Sequence, residues 1–178
     1  MNTPQAIPCT GDAGDFDFLM GSWRIRNTRL SKRMAGCTDW ETFDARGTVQ
    51  PLPGGIGNCD DFIPTTWSAG YIGMALRLFN PQTRRWSIYW LDNVTGGLDS
   101  ATDLLRPPVV GGFSGTDQGV FIGTDTFEGQ PVHVRFQWRK KNLATGSPRW
   151  EQAFSNDGGL TWETNWVMEF SRATGATR

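Results

Sequence analysis

Histidine and cysteine are scarce in this chain of 178 residues, which contains one histidine and three cysteines. Because His133 is the single histidine, a metal site built from several histidines is excluded. Cys9, Cys37 and Cys59 are far apart, odd in number and without C-x-x-C spacing. That pattern favours free thiols in a reducing compartment over disulfides or a zinc site. The sequence therefore predicts no metal, no cofactor and a cytoplasmic location.

The chain also lacks an excess of charge of either sign and any long apolar run. Its 17 basic and 18 acidic residues give a net charge of −1, so no strong field attracts nucleic acid or an anionic membrane. Residues 1–20 have neither the positive start nor the apolar stretch of a signal peptide. No segment approaches the ~20 apolar residues of a membrane-spanning helix. We expect no nucleic-acid partner and no membrane partner, and a homodimer stays open.

Aromatic and turn-forming residues are abundant: nine tryptophans, eleven phenylalanines, 22 glycines and 10 prolines. Aromatic side chains favour strands, and no window of helical length shows sustained helical periodicity. Short alternating segments separated by turn signals appear instead, about ten in all. They cover approximately residues 22–30, 39–50, 56–63, 71–79, 86–91, 109–114, 119–127, 132–138, 149–155 and 161–171. The sequence therefore predicts an all-β protein.

Strands joined in succession by short turns predict an up-and-down antiparallel sheet. A sheet of about ten such strands must close into a barrel, because closure removes both exposed edges and encloses the apolar face. A barrel of about ten strands also leaves an internal cavity. We expect one lipocalin-like domain over residues 1–178, with loose tails at 1–13 and 174–178. The longest irregular stretch, at 92–108, is a candidate lid.

One motif near the start resembles a known superfamily. Phe16-x-Phe18-Leu19-x-Gly21-x-Trp23 is similar to the signature of the calycins, which include lipocalins, fatty-acid-binding proteins and nitrobindin-like barrels. The resemblance implies a calycin-like barrel with a short helical turn closing one end, plugged by Trp23. It also implies that Arg172, near the end of the last strand, lies across that tryptophan.

The rest of the chain looks similar to a bacterial family of lipocalin-like proteins. The similarity extends over about residues 14–173 and is carried mainly by 16–29, 86–90, 132–138, 150–155 and 161–172. It implies the fold, and it implies no activity.

Alternation along the predicted strands selects the side chains that would face the cavity. Gln152 and Thr164 are polar positions on otherwise apolar faces of adjacent strands, where they would bond each other, a water or a polar group of a ligand. Apolar walls with a few polar groups are typical of a small-molecule pocket. The candidate ligand-binding residues are Met74, Trp90, Phe136, Trp138, Gln152, Thr164, Trp166 and Met168.

Binding of a small apolar or aromatic molecule is the first functional hypothesis. The second is a cofactor-free isomerase, cyclase or decarboxylase, with Asp60 or Asp61 as the acid–base group and Arg77 or Arg135 as an anion clamp. A carboxylate facing an arginine inside the cavity would favour the enzyme. A weaker alternative is haem binding through His133, although alternation with Val132 and Val134 predicts that this histidine faces outward.

A further motif, SNDGGLTW at residues 155–162, fits the Asp-box of sialidase propellers. A propeller needs that box repeated at blade spacing, and the sequence contains it once. We therefore interpret it as a hairpin turn organised by Asp157 and its glycines.

Overall fold

The computed structural model describes residues 10–142 and 144–173. Ten strands form a closed antiparallel barrel in which each strand pairs with its neighbours in sequence and the first pairs with the last. This confirms the predicted all-β, up-and-down architecture. The strands are β1 (Gly21–Leu30), β2 (Trp40–Pro51), β3 (Gly57–Pro64), β4 (Gly73–Asn80), β5 (Arg85–Asp92), β6 (Val109–Gly112), β7 (Gln118–Phe127), β8 (Gln130–Arg139), β9 (Arg149–Ser155) and β10 (Glu163–Arg172).

The helical content of the described residues is two short 3₁₀ turns, Asp17–Leu19 and Pro53–Gly55. None of the helices in that part of the chain is long and apolar enough to cross a membrane.

One end of the barrel is closed by the segment before β1. Phe16 and Leu19 are fully buried there, and the indole Nε1 of Trp23 donates to the carbonyl of Leu19 at 2.6 Å. Phe16 packs edge-on against Trp86 and Phe113, with ring centroids 4.9 and 5.2 Å apart. These aromatic contacts pack the closed end of the barrel.

Arg172 fastens this closing segment to the barrel wall. Its guanidinium carbon lies 3.8 Å from the centroid of the Trp23 ring, and it donates to the carbonyls of Met20 and Phe18. Gly21 adopts a φ of +99°, and a Cβ at this position would lie 3.0 Å from a guanidinium nitrogen of Arg172. Because L-residues rarely adopt that φ, the turn into β1 requires glycine.

Residues 10–13, which the sequence places in a loose tail, are bonded to the closed end. The amide of Gly11 donates to the carbonyl of Arg84 at 2.7 Å, and Trp86 Nε1 donates to the carbonyl of Asp12 at 3.1 Å. The prediction is wrong for these residues because their backbone groups supply partners that polar composition does not reveal. The remainder of the predicted tails, with Cys9, lies outside the described residues.

The opposite end of the barrel is its mouth. The strand directions place five connections there: β1–β2, β3–β4, β5–β6, β7–β8 and β9–β10. The longest of them follows Asp92 and ends before Val109, so the candidate lid at 92–108 lies at the mouth.

Candidate ligand-binding site

The barrel interior contains two neighbouring cavities. The upper cavity, on the side of the mouth, has a volume of about 340 Å³. The lower cavity, towards the closed end, has a volume of about 40 Å³, which accommodates a few water molecules at most. Both are lined by Ile88, Trp90, Phe136, Trp150 and Met168.

Trp166 is the central side chain of the upper cavity. Its ring contacts those of Trp90 and Trp150, with centroids 6.3 and 5.9 Å apart. Its indole Nε1 donates to Oδ1 of the buried Asn27 at 2.9 Å. Because that polar group is already bonded, Trp166 presents an apolar face to the cavity. The aromatic residues lining the upper cavity are Trp67, Tyr71, Trp90, Phe136, Trp150, Phe154 and Trp166.

Gln152 is the amide that faces this cavity. Its Nε2 donates to Oδ1 of Asn165 at 2.9 Å, and Asn165 is fully buried. Among the residues that the structure describes, no group donates to Oε1 of Gln152. An acceptor is therefore available on an otherwise apolar wall.

The prediction that Thr164 faces the cavity beside Gln152 is wrong. A β-bulge at Asn165 adds one residue to β10, so that Trp166 pairs with Gln152 but Thr164 pairs with Ala153. The extra residue reverses the alternation and turns Thr164 to the outer face. Asn165, which the sequence did not single out, bonds Gln152 instead.

The predicted orientation of β4 is also wrong, because Met74 lies on the outer face. Ala75 and Arg77 line the lower cavity, so Met74 and Leu76, which alternate with them, point outward. The apolar side chains of Met74 and Leu76 favoured their face of β4 as the inner one. Arg77 faces inward instead, because its charge forms an ion pair inside the barrel.

Arg77 is 3% exposed and forms an ion pair with Asp60 inside the barrel. Its second terminal nitrogen donates to Oδ1 of Asn58 at 2.9 Å, while Oδ1 of Asp60 accepts the amide of Ala75 at 2.9 Å. The guanidinium also lies 5.7 Å from the ring centroid of Trp138. Both carboxylate oxygens of Asp60 therefore have protein partners.

Asp61 is among the residues that line the lower cavity, and its carboxylate accepts the backbone amide of Thr48 on the neighbouring strand. Two other predicted residues line neither cavity. Arg135 lies 4.5 Å from the ring centroid of Trp162, outside the barrel. His133 pairs with Thr124 and Ser155 and alternates with the buried Val132 and Val134, so it faces outward.

The remaining predicted residues line one or both cavities. Trp90, Phe136 and Met168 line both, and Trp166 lines the upper one. Trp138 lines only the lower of the two cavities. It packs against Phe16 at the closed end, with ring centroids 5.9 Å apart.

Arginines at the mouth were missed by the sequence analysis. Arg29, Arg33 and Arg106 all line the upper cavity. Arg29 continues the inward series of Trp23 and Ile25 on β1, so alternation was a usable signal for it. Arg33 lies in the connection that follows β1, where no periodicity applies.

Burial affects the ionisation of groups around the mouth. It lowers the pKa of Arg29, and burial together with the charge of Arg29 lowers the pKa of Arg33 to about 10. Burial also raises the pKa of Tyr71, whose hydroxyl accepts a hydrogen bond from Trp90 Nε1 at 3.2 Å.

The connection at 92–108 contributes Gly97, Arg106 and Pro107 to the boundary of the upper cavity. Within residues 10–142 and 144–173, no cluster of three or more His, Cys, Asp or Glu side chains is arranged to hold a metal ion.

The sequence matches no protein-family model. No curated protein is significantly similar to it.

Proposed function

We propose that this protein binds a small apolar or aromatic molecule in the upper cavity. The observation that carries the proposal is the cavity of about 340 Å³, whose lining includes seven aromatic side chains. That volume falls in the range of about 300–1,000 Å³ typical of small-molecule pockets.

The distribution of polar groups supports binding of a largely apolar molecule. The Trp166 indole is bonded to Asn27, and Gln152 keeps one carbonyl oxygen directed to the cavity. A ligand with a hydroxyl or amide donor would bond that oxygen, and aromatic stacking on Trp90 or Trp166 would hold its body. That hydrogen bond would help to fix the orientation of the ligand.

One observation favours the alternative of a cofactor-free enzyme. Asp60 and Arg77 face each other inside the barrel, as that hypothesis requires. However, they line the lower cavity of about 40 Å³, and both oxygens of Asp60 are bonded within the protein. A general base needs an oxygen within reach of the substrate proton, so we assign this pair a structural role.

We do not propose haem binding through His133. An axial ligand must reach the iron from inside the cavity, and the side chain of His133 is on the outer face.

Binding is tested with phenylnaphthylamine, a neutral probe that becomes fluorescent in apolar surroundings. We expect saturable binding that is weakened in Phe136→Ala, which removes a cavity wall, and in Val134→Phe, which reduces the cavity volume. Met74→Ala is the matched control, because Met74 faces outward. If the three variants bind the probe equally, or if the probe does not bind to the wild type, the proposal is wrong.

A second experiment separates binding from catalysis. Native mass spectrometry of the purified protein identifies any molecule that remains bound, and that molecule is then incubated with fresh protein. Recovery of the unchanged molecule supports binding. Conversion that is lost in Asp60→Asn would support the enzyme instead.

We also propose that the chain is related to the calycins. The closed ten-stranded barrel, the 3₁₀ turn before β1 and the contact between Arg172 and Trp23 support that relationship.

A further inference from the structure

Two arginines at the mouth lie against aromatic rings, of which Trp67, Trp166 and Phe154 line the upper cavity. The guanidinium carbon of Arg29 lies 5.0 Å from the ring centroid of Trp67 and 5.2 Å from that of Trp166. The guanidinium carbon of Arg33 lies 4.5 Å from the ring centroid of Phe127 and 5.5 Å from that of Phe154. A guanidinium stacked in this way keeps its N–H groups directed outward from its edge, where they are able to bind an anion.

The charges of these arginines are only partly matched by carboxylates. Arg29 has one ion pair, with Glu41 at 3.6 Å, and the Glu41 side chain is 41% exposed. Within the part of the chain that the structure describes, Arg33 has no carboxylate oxygen within 4.0 Å, and the buried Nε of Arg29 has no acceptor. Exposed pairs such as that with Glu41 contribute little.

The two acidic residues in the described lining of the same cavity accept hydrogen bonds from neighbouring backbone amides. Oδ1 of Asp92 accepts the amides of Val94 and Thr95, at 2.9 and 2.7 Å. Oδ1 of Asp125 accepts the amide of Thr126 at 2.7 Å. With Arg106 as a third cation, the described lining has three arginines and two aspartates, and Glu128 and Glu163 lie near Arg33 outside that lining.

Both arginines are partly removed from water, and this burial lowers the pKa of each. The charge of Arg29 also disfavours that of Arg33, whereas Glu128, Glu163 and Asp125 favour it. Like charges that are held together in a partly buried site are characteristic of binding sites for the opposite charge.

We propose that Arg29 and Arg33 bind the anionic head group of the ligand, whose apolar body lies between the rings of the upper cavity. This inference rests on the proposed function and narrows it to apolar carboxylates and similar amphiphilic anions. Arginine suits a carboxylate because its fork of N–H groups matches the two oxygens. A head group at the mouth would leave the apolar part of the ligand to reach Gln152 and Trp166.

The test compares two probes with the same aromatic body. Anilinonaphthalene sulfonate carries an anionic group, and its parent, phenylnaphthylamine, is neutral. We expect the wild-type protein to bind the sulfonate about tenfold more tightly, the effect of a charge-assisted hydrogen bond. Added salt should weaken binding of the sulfonate and not of the neutral probe.

Variants then test whether the two arginines cause the preference for the sulfonate. Arg33→Met and the double variant Arg29→Met/Arg33→Met should lose the preference for the sulfonate, measured as the ratio of its affinity to that of the neutral probe. Arg33→Lys should retain part of the preference, because lysine keeps the charge and loses the fork. Arg26→Met, on the outer face of β1, is the matched control.

The outcomes separate this inference from the proposal beneath it. If the neutral probe binds and the sulfonate binds no more tightly, or if Arg33→Met leaves the preference unchanged, the anion site is wrong and the apolar site stands. If neither probe binds to the wild type, both proposals are wrong. If Arg29→Met fails to fold, the result for Arg33→Met alone tests the anion site. Arg33 lies in a connection outside the strands, so we expect this variant to fold.

Discussion

The guanidinium of Arg172 lies over the ring of Trp23, with 3.8 Å between the guanidinium carbon and the ring centroid. Trp23 is on the first strand and Arg172 is on the last, and the two residues pair directly across the junction of β1 and β10. Since Arg172 also donates to the carbonyl of Phe18 at 3.2 Å, one side chain joins that junction to the segment that covers the closed end.

Replacing Arg172 should therefore destabilise the whole barrel. We expect Arg172→Ala to lower the free energy of unfolding by about 1–2 kcal/mol, because it removes a cation–π contact and hydrogen bonds to two carbonyls. Urea denaturation measures the change. Arg26→Ala, at an exposed position of β1, is the control, and equal losses in the two variants would contradict the prediction.

The buried pair of Arg77 and Asp60 should be costly to break. Asp60→Asn leaves the charge of Arg77 uncompensated in the interior, which typically lowers the free energy of unfolding by about 3–5 kcal/mol. The double variant Asp60→Leu/Arg77→Met should recover much of that loss, because apolar side chains need no partner.

A surface ion pair provides the comparison for that measurement. Arg149 contacts Glu151 at 2.8 Å and is 28% exposed, so Arg149→Ala should cost no more than about 1 kcal/mol. If Asp60→Asn is no more harmful than Arg149→Ala in urea denaturation, the structural role assigned to the buried pair is wrong.

Asp157 should make the β9–β10 hairpin sensitive to acid. Hydrogen bonds from the side chain and amide of Thr161, and from the hydroxyl of Ser155, lower the pKa of its carboxyl. Because the folded pKa lies below the unfolded value of about 3.9, the stabilisation is complete above that pH. It is lost progressively as the pH falls below the unfolded value towards the folded one.

The measurement is the melting temperature of Asp157→Asn between pH 7 and about pH 3. We expect the variant to melt below the wild type at pH 7 and the difference to shrink in acid. Asp44→Asn, at an exposed position of β2, controls for a general change of charge. A difference that is constant with pH would contradict the prediction.

Gln152 should contribute to stability as well as to binding. Gln152→Leu removes the donor to Oδ1 of the fully buried Asn165, and an unsatisfied buried group costs about 1–3 kcal/mol. Gln137→Leu, on the outer face of the neighbouring strand, should change the free energy of unfolding by less than half as much. Thermal unfolding of the two variants makes the comparison, which fails if both behave alike.

Much of the fold was predictable because turn residues mark the ends of the strands and hydrophobic alternation indicates their inner faces. On β5 and β8, the apolar residues Trp86, Trp90 and Phe136 face the interior, so hydrophobic alternation gave the correct face. On β4 the same rule selected Met74, because it takes no account of the carboxylate of Asp60 on the adjacent strand β3, which forms an ion pair with Arg77 inside the barrel.

The site was less predictable than the fold for two physical reasons. The bulge at Asn165 displaces Thr164 by one residue, and a bulge depends on local backbone geometry that hydrophobic patterning does not encode. Arg33 lies in a connection, where its position follows from contacts with Phe127 and Phe154 and from no periodicity. The sequence therefore identified Gln152, Asp60 and Arg77, but not Asn165 or Arg33.

The ring of strands is completed by one junction between distant parts of the sequence, where residues 23–29 pair with 166–172. During synthesis on a ribosome, the earlier hairpins are able to form as they emerge, but no enclosed space exists until β10 docks. If the proposed function is correct, ligand binding must therefore await translation of nearly the whole barrel. A chain interrupted before Glu163 would retain two open sheet edges, which are prone to aggregation.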